Sequence, residues 1–82
     1  MSATAYILIE TELGRASEVV KDLAHVEGVD ASATSAVSGP YDIICLVRAD
    51  THNQIGRMVV NNIQSIKGVR RTLTAFWVQM DS

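Results

Sequence analysis

The strongest constraint on this chain is an internal echo. Val26-Glu27-Gly28-Val29 returns as Ile66-Lys67-Gly68-Val69 after about forty residues, and a period of that size means that one supersecondary unit has been used twice. Upstream of each copy lies an amphipathic helical pattern, and upstream of that an apolar run. The runs are Ile7-Leu8-Ile9-Glu10 in the first half and Cys45-Leu46-Val47-Arg48 in the second. Each half therefore reads strand, helix, strand.

The first helix is predicted from about Gly14 to His25, with Ala16, Val19, Val20, Leu23 and Ala24 at three- and four-residue spacing and Arg15, Glu18, Lys21 and Asp22 on the other side. The second starts at a T-x-x-Q capping box, Thr51 and Gln54, whose side chains satisfy amides left free at a helix start. Its stripe is Ile55, Met58, Val59, Ile63 and Ile66. Gly56 weakens that helix by about 1 kcal/mol relative to alanine, which suggests a close packing contact there. Gly28 and Gly68 follow the two helices, where a left-handed residue commonly stops them.

The predicted strands are Ala5 to Thr11, Val29 to Ser38, Asp42 to Ala49 and Val69 to Met80. Ser38-Gly39-Pro40-Tyr41 turns the second strand into the third, because proline fixes its own backbone angle and glycine permits angles that other residues avoid. Parallel strands within each half require a right-handed crossover, and two such units in tandem give an α+β, ferredoxin-like βαββαβ fold. Both helices then cover one face of a four-stranded antiparallel sheet. Alternation separates Ala5, Ile7 and Ile9 from Tyr6 and Leu8, and Ile43, Cys45 and Val47 from Ile44 and Leu46, without saying which set meets the helices. Both faces are apolar. The face left open would be a hydrophobic patch that soluble monomers seldom expose, so the expectation is a sheet-to-sheet dimer, a dimeric α+β barrel.

Composition points the same way. With 82 residues, 48% of them hydrophobic, there is room for one domain spanning 1–82. A domain this small buries only roughly 60% of its unfolded surface and often needs a staple. A single cysteine, Cys45, cannot close an intramolecular disulfide, and with His25 and His52 it falls short of a structural zinc set. Association with further copies is the remaining common option. The net charge of −2 argues against direct nucleic-acid binding, and the adjacent Arg70 and Arg71 read as a solvated strand end. No run approaches a membrane span, and Met1 to Thr4 show neither a basic stretch nor a cleavable apolar segment, so a cytoplasmic protein is expected.

Few residues suggest catalysis. His25 falls at a helix end, where it is ordinary capping chemistry, and His52 in a first turn reads as solvated. Cys45 reads as a buried small hydrophobe. Phosphate loops, metal-ligand spacings and paired carboxylates are absent from the sequence, so no cofactor is expected. The turn Gly39-Pro40-Tyr41-Asp42 is the best candidate site. Its backbone amides are open to a small anion, Tyr41 offers a ring wall and a hydroxyl, and Asp42 can accept from an ammonium group. Equally, G-P-x-D suits any tight turn. Thr72 and Thr74 put two hydroxyls on one face of the last strand, where β-propensity also explains threonine.

Taken together, the tandem units with helix-ending G-V, the Gly-x-Tyr-Asp turn before an apolar third strand, and Gly68-Val69-x-x-Thr72-x-Thr74 resemble the ligand-binding (RAM) domain of the Lrp/AsnC transcriptional regulators over about Ala5 to Val78. The resemblance implies dimers stacked through their sheets and assembled into rings, commonly octamers, with four or five dimers possible. It also implies a small effector, chiefly an amino acid, bound between dimers. Carried over by position, Gly39, Tyr41, Asp42, Thr72 and Thr74 would line that pocket, with amides and hydroxyls on the α-carboxylate and an acidic or carbonyl group on the α-ammonium. Asp42 could instead cap its own turn. Full-length members carry an N-terminal helix-turn-helix, whereas this sequence starts at the first strand. It resembles a stand-alone effector domain that would regulate through a partner, such as a full-length family member in a mixed ring. The competing reading is a small dimeric α+β barrel enzyme, for instance a cofactor-independent oxygenase, for which a histidine inside a closed pocket is the mark.

Overall fold

The computed structural model describes residues 2–80; Met1, Asp81 and Ser82, which the expected 1–82 span includes, lie outside the described residues. The elements are β1 (Ala3–Thr11), α1 (Ala16–Leu23), β2 (Val29–Ala36), β3 (Ile43–Ala49), α2 (His52–Met58, continued by a π-helical turn Val59–Ile63) and β4 (Val69–Phe76). The sheet order is β2-β3-β1-β4, and every neighbouring pair is antiparallel. The parallel strands of each half are thus separated by one strand from the other half. This is the split βαβ, ferredoxin-like arrangement expected of tandem units.

Register decides which apolar set meets the helices. Ala5, Ile7, Ile9, Ile43, Cys45 and Val47 are fully buried in one core with Val19, Leu23, Ile55 and Ile63 from the helices. Burying each large aliphatic side chain contributes roughly 1.5–3 kcal/mol. Tyr6, Leu8, Ile44 and Leu46 consequently point to the other face. Cross-strand pairing of Tyr6 with Ala75 and of Leu8 with Leu73 places the odd-numbered residues of β4 beside them. Trp77 extends this patch: its N–H donates to the Thr4 carbonyl at 2.8 Å, and its ring centroid lies 6.0 Å from that of Tyr6.

Local chemistry explains the helix ends. Thr51 accepts from the Gln54 N–H at 3.1 Å, and Gln54 Oε1 accepts from the Thr51 N–H at 3.2 Å and from the Asp50 N–H at 2.9 Å, which completes the expected capping box. Gly28 and Gly68 have φ of +94° and +99°, the left-handed stops that the sequence echo marked.

Six expectations need correction. α1 spans Ala16–Leu23 instead of 14 to 25, and Ala24 is exposed instead of lying on the apolar stripe. β2 stops at Ala36 and β4 at Phe76, where its last pairing with β1 is to Ala5. Gly56 makes no close contact: a Cβ added there would meet nothing within 4 Å. His52 is exposed but not merely solvated, since its ring lies 4.4 Å from that of Phe76.

β2 is irregular between Asp30 and Ser35, where its register against β3 shifts. Asp30 stabilises the irregularity by accepting from the Ser32 hydroxyl at 2.6 Å and the Ser32 N–H at 3.0 Å. The Ser32 hydroxyl and then the Arg48 guanidinium hold the Asp30 carboxyl below the usual carboxylate range.

Burial pushes the Cys45 thiol from its ordinary 9.0 up to about 11, which has a consequence for stability. Below pH 9 the thiol is neutral in both folded and unfolded chains. As pH rises from 9 towards 11, the unfolded chain ionises first and the folded state loses ground, by a maximum of roughly 3 kcal/mol. Urea unfolding of the wild type should therefore show a stability decline across that window. The decline should be shallower in Cys45→Ala, and equal slopes would contradict the assignment.

Candidate functional site

The turn between β2 and β3 is anchored more firmly at one end than at the other. Gly39 and Pro40 are exposed, Tyr41 is half-buried, and a Cβ built on Gly39 would meet nothing within 4 Å, so the backbone there is open to approach. Asp42, by contrast, is tied three times. Its N–H donates to the Ile9 carbonyl at 2.9 Å, its carbonyl accepts from the Val37 N–H at 2.8 Å, and its Oδ2 accepts from the Thr11 N–H at 2.8 Å. Thr11 sits just past a bulge, where the pairing of β1 with β4 shifts register between Glu10 and Thr11.

Thr72 and Thr74 pair with Ile9 and Ile7, so both hydroxyls lie on the helix side of β4, half-buried at the edge of the sheet. Gln64, just past the π-helical turn, donates from Nε2 to Thr72 Oγ1 at 2.9 Å. A hydroxyl that accepts from an amide keeps its own proton free to donate, which suits an anionic partner such as a carboxylate.

β1 separates β3, and with it the turn, from β4. A hollow of about 570 Å³ lies beside Asp42, with Pro40, Glu10, Thr11, Ser17 and Arg70 among its lining, and neither threonine reaches it. A somewhat larger hollow, about 620 Å³, lies between α2 and the loop after α1, and none of the five candidate residues lines it. The five residues thus share no single hollow among those described.

Charge near the turn is paired. Glu10 accepts from Arg71 at 3.1 Å and faces Arg70 at 3.8 Å. The arginines form the solvated strand end expected of them, and such exposed pairs contribute at most about 1 kcal/mol. His25 and His52 are both exposed, so neither imidazole sits in a closed pocket. Among the described residues, no group of three or more His, Cys, Asp or Glu is placed to hold a metal ion, and no helix is long and apolar enough to cross a membrane.

Two participants escaped the sequence reading. Gln64 reaches Thr72 across the sheet edge after a π-helical turn that hydrophobic spacing does not reveal. The Thr11 N–H carries no side-chain signature, and it is open to Asp42 because the pairing of β1 with β3 stops at Ile9 and Ile43.

Comparison with known proteins bears on the family and the fold. The family model described as the Lrp/AsnC ligand binding domain matches residues 4–80. An uncharacterized HTH-type transcriptional regulator of Pyrococcus horikoshii is 34% identical over 77 residues, covering 90% of this chain and 50% of its own length. The chain thus spans half the length of that curated relative. The crystal structure of TTHA0845 from Thermus thermophilus superposes with a TM-score of 0.86 at 29% identity, covering 98% of each chain. A transcriptional regulator of Neisseria meningitidis, solved as a complex with L-methionine, shares the fold at a TM-score of 0.82 and 18% identity, over 94% of this chain and 50% of its own. The repeated strand-helix-strand units and the matched span lead to one assignment: the chain belongs to the Lrp/AsnC family, and residues 4–80 are its ligand-binding regulatory domain.

Proposed function

We propose that the chain binds a free amino acid and passes the signal on through its assembly. The pocket is built on the turn Gly39, Tyr41 and Asp42 and on Thr72 and Thr74, completed by a neighbouring copy. The observation that carries this reading is the split of the candidate residues between the β2–β3 turn and the β4 edge, which share no hollow within one chain. Open backbone at Gly39 and a donor hydroxyl at Thr72 suit an α-carboxylate. The L-methionine complex of the Neisseria meningitidis regulator supports an amino acid as the ligand class.

Assembly follows from the same reading. Sheets stack face to face into dimers, and dimers close into a ring of four or five. One domain spans the chain and works in the cytoplasm without catalysis. In this reading DNA is read by a partner, such as a full-length family member. The exposed positions of both histidines support a regulator over an enzyme.

Calorimetric titration with each proteinogenic amino acid at millimolar concentration, with light scattering alongside, tests the proposal. At least one, with L-methionine the first to try, should release or absorb heat, and Thr72→Val/Thr74→Val should abolish that signal at unchanged mass. Silence from all of them would overturn it.

A further inference from the structure

We infer that Asp42 serves the effector site as a positioning residue, clamping the Gly39–Asp42 turn onto the bulged end of β1, and that it does not bind the effector's ammonium group. The inference rests on the amino-acid reading above and assigns one residue of that site a different role from the one its charge suggests.

The carboxylate is already engaged. Asp42 Oδ2 accepts from the Thr11 N–H at 2.8 Å across 31 residues of sequence. Among the described residues, the other hydrogen bonds between a hydroxyl, amide or carboxylate side chain and the backbone span four residues or fewer. Those local bonds shape turns and caps, whereas this one joins the β2–β3 turn to the β1–β4 bulge. Thr11 is 8% exposed, and Asp42 is the partner that satisfies its largely buried N–H. A backbone N–H held by an ionised carboxylate is among the stronger hydrogen bonds a protein makes.

The backbone of Asp42 closes the same clamp from the other side. With its N–H on Ile9 and its carbonyl on Val37, the residue is fixed to β1 and to the first residue past β2. The shape of the open segment at Gly39 and Pro40 is therefore set at Asp42. Positive charge in the adjoining hollow comes from Arg70, and Glu10 answers it. Asp42 is not required to balance charge there.

An asparagine separates clamp from counter-ion, because its side-chain oxygen can still accept from Thr11 while the negative charge is gone. In the positioning role, Asp42→Asn keeps amino-acid affinity within about threefold of wild type and Asp42→Ala loses on the order of tenfold or more, comparable to one lost hydrogen bond. The two variants should split in the free protein as well. By NMR, Thr11 amide exchange should be about tenfold faster in Asp42→Ala and near wild type in Asp42→Asn.

L-methionine, together with any amino acid returned by the screen above, is the probe, and circular dichroism checks that each variant is folded. Equal loss of affinity in both variants would overturn the inference in favour of ammonium binding. Unchanged Thr11 exchange in Asp42→Ala would overturn the clamp itself. If the wild type binds no amino acid, the effector reading fails and the role assigned to Asp42 in it fails too, while the exchange comparison still decides whether the clamp exists.

Discussion

Gly28→Ala should cost this fold roughly 2–5 kcal/mol, a large part of what a domain of this size has to lose. Gly28 has φ of +94°, and a Cβ there would run into Met58 Cε and come within 2.9 Å of the Arg48 carbonyl oxygen. The methionine end can move aside. The Arg48 backbone cannot, because its N–H donates to the Gly28 carbonyl at 2.8 Å and so holds the two segments together. The left-handed conformation costs an L-residue about 1–2 kcal/mol, and forced overpacking a further 1–3 kcal/mol. Gly14→Ala separates the two contributions: its φ is +79° and nothing lies within 4 Å of an added Cβ, so it should lose only the first. Gly56→Ala, in open space on α2, should gain up to about 1 kcal/mol. Urea midpoints measure all three, and a Gly28→Ala midpoint no lower than that of Gly14→Ala would show that the packing argument is wrong.

That ordering of glycines shows where the sequence is informative. Gly28 and Gly68 were legible because each ends a helix in a repeated context, so two independent copies pointed to one backbone geometry. The alternation along β1 and β3 was equally legible, yet it could not say which set meets the helices, since Ile7 and Leu8 are alike in every property that a pattern sees. Only the placement of α1 and α2 breaks that symmetry. Gly56 misled because intolerance of glycine in a helix predicts a compensating contact, and the compensation here is simply the capping box and the buried stripe of α2. The overlong β4 had a different cause: the apolar character of Trp77, Val78 and Met80 continues past Phe76, whereas the pairing with β1 stops at Phe76 opposite Ala5, and residue types do not mark where a ladder ends. In the candidate site, the turn and the threonines were visible as residue types. The bond from Thr11 to Asp42 and that from Gln64 to Thr72 were not, because they depend on where the pairing of β1 with β3 stops and on a π-helical turn, neither of which leaves a trace in hydrophobic spacing.

Leu73→Asp should take the protein in solution from a dimer or larger assembly to the mass of one chain at micromolar concentration. Leu73 is 51% exposed on the face of the sheet away from the helices, next to Leu8, with Tyr6 at 39% and Trp77 at 52% on the same face. Such a continuous apolar surface is what a second sheet would cover. Within a single chain the substitution touches little, and exposed replacements of this kind usually stay within about 0.5 kcal/mol. Between two stacked sheets the same aspartate would be a buried charge without a partner, which costs several kcal/mol and weakens association on the order of a hundredfold or more. Val60→Asp supplies the comparison, because Val60 is 60% exposed on α2 and carries the same change to the opposite face. Light scattering should then find Leu73→Asp folded at single-chain mass and Val60→Asp still at two chains or more. A wild type already at single-chain mass would remove sheet stacking, and with it the explanation of why so small a domain spends two apolar sheet faces where one would make its core.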